Sequence, residues 1–369
     1  MARVRRVIDD GAAYYEQLLA ERGVDLVRLP ARFTGANELE AGDLRVAFRQ
    51  ALIATGARPR RLELPGADRV PTLTSDDLLA AGWTTLPGHL VSVGAGAVSL
   101  EFAQAYRRLG AEVTIVQRGS HLAHGEDEEL GDLLKAYLEE EGVAVLTGSA
   151  VERLELVDGR PAVLCAGGNR VVGDAILAAV GREPVVDGLG LDEVGIAYDP
   201  TGVTTDAHLR TTLSNVFAVG DANGEMLFTH VATYEAPIAI ANMLDGAAEE
   251  PDYRTMPRAI FTDPVLASVG LTEQQAREAG HDVEVRRSDV GTRGKARAIG
   301  DRRGRVKFVL DARTGVILGV GILAHDGADL LPGPQVAMNA PGGTLAPLLA
   351  TVHTHPTLSE AVKVAARGS

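Results

Sequence analysis

Residues 90–99 combine the residue types that can bind the pyrophosphate of a dinucleotide. An apolar, strand-like run (Leu90–Val93) leads through a Gly-x-Gly-x-x-Ser segment directly into a helical pattern. In such a segment the first glycine makes a tight turn, the second lets the backbone approach the pyrophosphate, and the helix N-terminus holds the anion. The segment consists of Gly94, Ala95, Gly96, Ala97, Val98 and Ser99. We expect a dinucleotide site here, with Ser99 small enough to replace the usual third glycine; a plain structural turn is the alternative.

The residues after the next strand indicate which dinucleotide is bound. A carboxylate at this position accepts hydrogen bonds from the ribose hydroxyls of NAD, whereas an arginine meets the 2′-phosphate of NADP. The run Val113–Val116 ends in Gln117 and Arg118, with no carboxylate at the tip. This predicts NADPH in preference to NADH. The alternative is that Arg118 is a solvated loop charge.

Cys165 is the only cysteine of the chain. One thiol forms neither an intrachain disulfide nor a redox centre that needs two cysteines. Because Cys165 lies in an apolar, strand-like run, we expect a buried and inert thiol rather than a reactive one. The absence of a disulfide framework favours a cytoplasmic setting.

The order of the sequence patterns predicts an α/β protein. Strand and helix patterns alternate from residue 90 to 146, which is typical of a parallel sheet with right-handed crossovers. A helix is expected over residues 2–22, strands over Val24–Leu29 and Leu44–Ile53, and an antiparallel layer within residues 150–180. From Pro257 onward the pattern changes to antiparallel strands with helices.

Composition limits the possible partners. The chain has 369 residues, of which 46% are hydrophobic and 23% charged, with a net charge of −14. This length allows two or three domains, and the acidic balance argues against nucleic acid. No apolar run is long enough to predict a membrane span. The basic run Arg302–Arg305 is expected to be a solvated hairpin tip.

Seven segments, in order and over nearly the whole chain, resemble the landmarks of the pyridine nucleotide–disulfide oxidoreductases of the dihydrolipoamide dehydrogenase and mercuric reductase type. They are Ile53–Ala57, Leu90–Glu101, Ala179–Pro184, Thr211–Asp221, Leu227–His230, Phe261–Thr272 and His353–Glu360. The resemblance implies hydride transfer from NAD(P)H to FAD and then to a disulfide or metal ion, with a small-molecule substrate and no resident metal site.

The resemblance also implies roles for individual residues. Glu101 stands at the fingerprint glutamate of the nicotinamide site. The flavin contacts would be made by Thr55, Gly56, Ala57, Gly181, Gly220, Asp221, Leu227, Phe228, Thr229 and His230. Among these, Asp221 would bond the ribityl chain of FAD.

The resemblance makes His355 an acid–base residue that takes a proton from a redox thiol, with Glu360 orienting it. The alternative is structural, because Thr357-x-x-Glu360 also has the pattern of a helix capping box. Both roles are compatible.

The implied fold is α/β, with FAD/NAD(P)-binding Rossmann-like domains and a C-terminal α+β dimerisation domain. The expected boundaries are a partial FAD-binding domain at 1–62, an NAD(P)-binding domain at 63–182, a return segment of the FAD-binding domain at 183–256 and the dimerisation domain at 257–369. The expected assembly is a homodimer. Residues Leu331–Thr344, rich in proline and glycine, interrupt a stretch that the family makes helical.

The chain also departs from the family pattern. The 369 residues contain neither the N-terminal Gly-x-Gly-x-x-Gly flavin unit nor the Cys-x4-Cys helix, and they lack the lysine that pairs with Glu101. We therefore expect an N-terminally truncated and catalytically incomplete chain that binds FAD weakly. The alternatives are one half of a split enzyme, complemented by a separate N-terminal polypeptide, and a non-redox nucleotide-binding or dimerisation module.

Overall fold

A computed structural model of the chain describes residues 2–80 and 83–368. The chain divides into two compact units. Unit 1 comprises Met1–Arg60, Thr74–Thr85 and Gly181–Pro251, and unit 2 comprises Arg61–Leu73, Leu86–Val180 and Asp252–Ser369. Among the helices of the described residues, none has both the length and the apolar character that a bilayer crossing requires.

Helices and strands alternate along the chain. The helices are α1 (Ala2–Glu21), α2 (Ser75–Leu79), α3 (Ala97–Arg108), α4 (Glu128–Glu140), α5 (Leu191–Val194), α6 (Thr229–Asp245), α7 (Glu273–Glu278), α8 (Gly294–Ile299), α9 (Gly327–Leu330), α10 (Pro332–Asn339), α11 (Ala346–Ala350) and α12 (Ser359–Arg367). The strands are β1 (Ala31–Gly35), β2 (Glu38–Ala41), β3 (Leu44–Ala47), β4 (Ala51–Ile53), β5 (Ala57–Pro59), β6 (His89–Val93), β7 (Glu112–Val116), β8 (Val143–Leu146), β9 (Val151–Val157), β10 (Arg160–Cys165), β11 (Arg170–Val172), β12 (Ala175–Ala178), β13 (Arg182–Pro184), β14 (Tyr198–Asp199), β15 (Gly202–Val203), β16 (Val216–Ala218), β17 (Pro257–Ile260), β18 (Val265–Gly270), β19 (Val283–Asp289), β20 (Arg305–Asp311) and β21 (Ile317–Ala324).

The first part of unit 2 is built on a parallel sheet in the order β12-β6-β7-β8. Helices α3 and α4 connect its strands, so the predicted alternation of strand and helix is confirmed. Parallel strands covered by helices are buried on both faces, and the side chains of Leu90, Val91 and Ile115 are fully buried. The predicted antiparallel layer is the sheet β11-β10-β9.

The C-terminal part of unit 2 is a five-stranded antiparallel sheet in the order β17-β18-β21-β20-β19, with α12 packed on it. The predicted change of character after Pro257 is therefore confirmed. The expected interruption at Leu331–Thr344 is confirmed only in part: Pro332–Asn339 form α10, whereas residues 340–345 are not helical. Pro332 and Pro334 lie in the first turn of this helix, where no intrahelical N–H bond is lost.

The basic run Arg302–Arg305 is not a solvated tip. Arg303 forms ion pairs with Asp263, Asp301 and Glu141. Arg305 pairs with two further carboxylates, 2.7 Å from each. The expectation was wrong because three of the partners, Glu129, Glu141 and Asp263, lie far away in the sequence and only the fold brings them to this run.

Unit 1 contains four small sheets: the antiparallel meander β1-β2-β3, the parallel pair β16-β4 and the antiparallel pairs β13-β5 and β14-β15. Helix α1 confirms the expected N-terminal helix. The strand expected at Val24–Leu29 is wrong: this segment is irregular and exposed. The run Leu44–Ile53 is divided between β3 and β4, which belong to different sheets.

Candidate functional site

The turn between β6 and α3 has the geometry that a dinucleotide phosphate site requires. Gly94 has φ +104°, and a Cβ added there would lie 2.2 Å from the carbonyl oxygen of Ala179. Only glycine fits so close to another strand. Gly96 is the N-cap of α3, and a Cβ at this position would meet nothing within 4 Å. The first glycine therefore serves the fold, whereas the second leaves space above the helix N-terminus.

The third position of the segment serves packing. Ser99 is fully buried, and its hydroxyl lies 2.6 Å from the carbonyl oxygen of Gly94 and 2.8 Å from the hydroxyl of Ser92. A buried hydroxyl needs such partners. The prediction that serine is small enough for helix–strand packing is confirmed. Ala95 is buried, whereas Ala97 and Val98 are half-buried on the first turn of α3.

The loop after β7 presents one unpaired cation. Arg118 is exposed, and its guanidinium has no hydrogen-bond or ion-pair partner in the part of the chain that the structure describes. Gln117 instead donates to the carbonyl oxygen of His121, 3.3 Å away. A hydrogen bond with Asp132 raises the pKa of His121. Arg118 is thus available to an anion, and the preference for NADPH stays a prediction.

In unit 1 the two segments expected beside the flavin lie next to each other. Strands β5 and β13 pair antiparallel, with Ala57 opposite Pro184. The Thr55 hydroxyl donates to the carbonyl oxygen of Val185 at 2.7 Å, and the Val185 N–H donates to Gly56 at 2.9 Å. Residues Thr55–Ala57 therefore form one surface with the strand that follows Gly181.

Gly56 and Gly181, which lie beside β5 and β13, both have open space above their Cα atoms. Gly56 has φ +71° and Gly181 has φ +112°, and a Cβ at either position would meet nothing within 4 Å. A glycine with φ in this range and open space above its Cα lets a ligand approach the backbone. This geometry fits a planar ring packed against the backbone at these two glycines.

The Gly220–Asp221 turn is held by a buried acid that the sequence analysis did not identify. Glu235 on α6 is fully buried; its Oε2 accepts the Gly220 N–H at 2.6 Å and the Asn223 amide at 3.0 Å. Burial raises the pKa of Asp221, and Arg182, 3.9 Å away, opposes that shift. The one signal in the sequence is an acidic residue on the apolar face of a helix.

The segment expected over the isoalloxazine forms the start of α6. The helix begins at Thr229, and Phe228 is its N-cap. The rings of Phe228 and His230 are stacked with centroids 5.3 Å apart, and Leu227 precedes them half-buried. The turn thus presents a flat pair of rings at a helix N-terminus.

Glu101 lies in unit 2 on α3. Its Oε1 accepts the Phe261 N–H at 2.8 Å. Burial raises the pKa of this carboxyl, and the Phe261 hydrogen bond opposes the shift. The half-buried carboxyl therefore has one backbone partner.

His355 and Glu360 form a pair near the end of the chain. The Nδ1 of His355 lies 3.0 Å from Oε1 of Glu360, and the imidazole is largely exposed. Hydrogen bonding to His355 and to the Thr357 N–H lowers the pKa of Glu360. Only one half of the capping box is present: the Thr357 N–H donates to Oε2 of Glu360, whereas the Thr357 hydroxyl donates to the carbonyl oxygen of Thr354 and caps no N–H of α12. Glu360 therefore orients the imidazole and also caps the chain entering α12.

Cys165 lies on β10 and is fully buried. Burial raises the pKa of its thiol, so the reactive thiolate is disfavoured. The expectation of a buried cysteine is confirmed.

Comparison with known proteins agrees with these arrangements. The family model "Pyridine nucleotide-disulphide oxidoreductase" matches residues 3–236, and its "dimerisation domain" matches residues 256–366. The dihydrolipoyl dehydrogenase of Mycobacterium leprae is 36% identical over 98% of this chain and 79% of its own length. The mercuric reductase of Bacillus cereus is 31% identical over 95% of this chain and 56% of its own length.

Solved structures give the same result. The Cu(II) complex of the HOCl-induced flavoprotein disulfide reductase RclA from Escherichia coli superposes with a TM-score of 0.90 at 29% identity, covering 97% of this chain and 83% of that one. LpdA from Mycobacterium tuberculosis superposes with a TM-score of 0.88 at 26% identity, covering 99% of this chain and 82% of that one. The chain therefore belongs to the pyridine nucleotide–disulfide oxidoreductases, a family of flavin-dependent enzymes, and has the family's Rossmann-like α/β fold with a C-terminal dimerisation domain.

Proposed function

We propose that this chain binds NADPH, and less tightly NADH, and transfers hydride from it to FAD, as the first half of a reaction that ends in reduction of a disulfide or a metal ion. The observation that carries the proposal is the β6–α3 turn. There Gly94 brings two strands together, while Gly96 leaves space before the unpaired N–H groups of α3. The turn thus fits a pyrophosphate.

The residues of the chain divide the binding task. The N–H groups at Ala97 and Val98 would hold the pyrophosphate, and Arg118 would pair with the 2′-phosphate. The Gly56 and Gly181 backbones would border the flavin ring, and Asp221 would accept a hydrogen bond from a ribityl hydroxyl. When bound, FAD supplies the chemistry that accepts the hydride.

His355 moves a proton. A carboxylate only accepts hydrogen bonds, so Glu360 places the imidazole proton on Nδ1. The lone pair at Nε2 then accepts a proton from a thiol. The 369 residues contain one thiol, Cys165, which is buried. We therefore propose that the redox thiols that this reaction needs are supplied by a polypeptide segment outside these 369 residues.

We also propose that the chain by itself binds FAD weakly. The described residues offer surfaces for the isoalloxazine and the ribityl chain, while the family's Gly-x-Gly-x-x-Gly unit for the ADP half is not among the 369 residues. A purified chain that remains yellow, with one FAD per chain after gel filtration, would contradict this.

Isothermal titration calorimetry of the purified chain with NADPH and NADH tests the nucleotide proposal. We expect saturable binding of both, with the tighter binding for NADPH. If the folded chain bound neither nucleotide, the proposed function would be wrong. Equal affinities would show that Arg118 does not select NADPH, while the proposed dinucleotide site itself would remain supported.

A further inference from the structure

A buried lysine of the C-terminal antiparallel sheet is surrounded by carboxylates. Lys307 on β20 is only 3% exposed, and its Nζ lies 2.8 Å from Asp127, 2.9 Å from Glu273 and 3.0 Å from Glu129. A buried charge is tolerated when its partners are this close and well aligned. Two of the three carboxylates, Asp127 and Glu129, lie at the start of α4, directly after the loop that carries Arg118.

Further cations of the same sheet hold the same short segment. Arg258 on β17 lies 2.9 Å from Glu126, which also accepts a hydrogen bond from Ser268. Arg305 and Arg287 lie 2.7 and 2.9 Å from Glu129. The carboxylates of residues 126, 127 and 129 are thus bound to four strands of the C-terminal sheet. Such multiple pairing fixes a segment far better than one exposed ion pair.

The segment is connected in turn to the phosphate turn. Asp127 is the N-cap of α4. The Glu126 N–H donates to the carbonyl oxygen of Ala123 at 2.9 Å, and the Ala123 N–H donates to that of Ala95 at 2.8 Å. Ala123 is buried and has φ +52°, a conformation that a non-glycine residue keeps only when its surroundings hold it. Ala95 lies between the two glycines of the turn.

We propose that Lys307 is a positioning residue for the nicotinamide dinucleotide. Through Asp127 and Glu129 it holds loop 117–126, hereafter the ribose loop, against the phosphate turn. The loop's Arg118 then faces the adenosine ribose without first having to be ordered. The inference rests on the proposed dinucleotide site and adds to it a residue about 190 positions away in sequence from that arginine.

The variant Lys307→Met tests this, because it keeps the length of the side chain and removes the charge. Without the lysine the carboxylates repel one another and the ribose loop becomes mobile, so the dissociation constant for NADPH should rise about tenfold, a size usual for coupling between linked sites. Amide hydrogen exchange of residues 117–126 should become faster.

Asp311→Asn is the matched control. Asp311 lies on the same strand, β20, is 6% exposed, and pairs with His281 and Thr314 rather than with the ribose loop. It should lower the melting temperature while the dissociation constant for NADPH changes by less than about twofold. If both variants weakened binding equally, Lys307 would be acting on stability alone and the inference would be wrong.

Two other variants cover the case in which Lys307→Met does not fold. Lys307→Arg keeps the charge, and a cavity of about 460 Å³ bordered by Lys307, Asp127 and Glu273 can accept the larger side chain; NADPH binding should remain near the wild-type value. Arg258→Met removes the ion pair with Glu126. Because the Arg258 side chain is partly exposed, this variant should fold, and it should weaken NADPH binding by a few-fold. An unchanged affinity in Arg258→Met, with wild-type binding intact, would contradict the inference but not the proposed function. Loss of binding in the wild type itself would instead refute the proposed function.

Discussion

At the scale of single residues, the two glycines of the phosphate turn look equivalent in sequence and differ in the fold. Gly94 faces the carbonyl oxygen of Ala179, whereas Gly96 faces open space. Their substitution by alanine therefore separates stability from binding.

Gly94→Ala should destabilise the protein by about 2 kcal/mol or more, because the new methyl group overlaps a backbone carbonyl and φ +104° is unfavourable for alanine. Gly96→Ala should cost less than about 1 kcal/mol, an amount typical of an N-cap change, yet weaken NADPH binding strongly. Urea denaturation and calorimetric titration of both variants measure these effects. A Gly96→Ala variant with wild-type affinity would show that no pyrophosphate approaches this turn.

Arg118→Ala should weaken NADPH binding about tenfold or more, since a hydrogen bond to a charged group contributes about 1.5–3 kcal/mol. NADH binding should change by less than about twofold. Arg69→Ala, which removes another exposed arginine of unit 2, is the control. Titration of both nucleotides into both variants gives the ratio of the dissociation constants for NADPH and NADH. An equal loss of NADH affinity in Arg118→Ala would assign Arg118 a general electrostatic role.

At the scale of elements, the start of α4 is fastened to the C-terminal sheet by charge. Burial acts to raise the pKa of Glu129, but hydrogen bonds from Lys307, Arg305 and Arg287 outweigh it and lower this pKa to about 2. A carboxylate with a depressed pKa stabilises the folded state above its unfolded pKa, and this stabilisation is lost as the pH falls through the folded value. The docking of α4 should therefore weaken in acid.

Glu129→Gln should lower the free energy of unfolding by about 1–2 kcal/mol at pH 7, after allowance for solvent screening. The difference from wild type should shrink as the pH falls from about 4.5 towards 2, since the wild-type carboxylate is then protonated as well. Glu128→Gln, which changes the exposed neighbouring acid, should have little effect at any pH. Denaturation curves at several pH values provide the measurement; a difference independent of pH would mean that packing, not charge, is lost.

At the scale of the whole molecule, the reaction open to His355 and Glu360 depends on the number of thiols in the chain. Reducing a disulfide by this family's chemistry needs one thiol for interchange and one for charge transfer to the flavin. Cys165 is a single buried thiol with a raised pKa. We therefore propose that Cys165 supplies neither of these thiols.

We expect the chain alone not to reduce lipoamide, glutathione disulfide or mercuric ion, even with added NADPH and FAD. His355→Ala should leave this negligible turnover unchanged and lower stability only slightly, because the imidazole is exposed and its one described side-chain partner, Glu360, keeps the Thr357 hydrogen bond. Turnover that falls when His355 is replaced would show that a thiol reaches it from elsewhere. Adding a peptide with the family's cysteine pair is the positive control.

The C-terminal part of the chain bears on how the molecule assembles. The C-terminal residues 256–366 match the family's dimerisation domain, which supports a homodimer. The five-stranded sheet and α12 form the core of this part, including the buried side chains Phe308, Ile322 and Val362.

The sequence by itself determined the strand–turn–helix at Gly94, the parallel sheet, the antiparallel C-terminal part and the family. These features depend on residues close to one another in the chain, where the spacing of apolar residues and glycines directly reflects the backbone geometry. The same reasoning was wrong at Val24–Leu29, because an apolar run becomes a strand only where a partner strand pairs with it. It was only partly right at Leu331–Thr344, where α10 forms over Pro332–Asn339 and ends before Pro341, because the position of a proline within a helix, not its presence, decides whether the helix forms.

Only the tertiary structure showed that Glu235 holds the Gly220 turn, that Ala179 makes Gly94 necessary and that Lys307 binds the start of α4. The Lys307–Asp127 contact joins residues 180 positions apart. A charged residue in a strand pattern is read from sequence as exposed, because burying an unpaired charge is costly. Its burial becomes possible only when the fold brings carboxylates from α4 and α7 to within about 3 Å, and one sequence carries no local trace of that encounter.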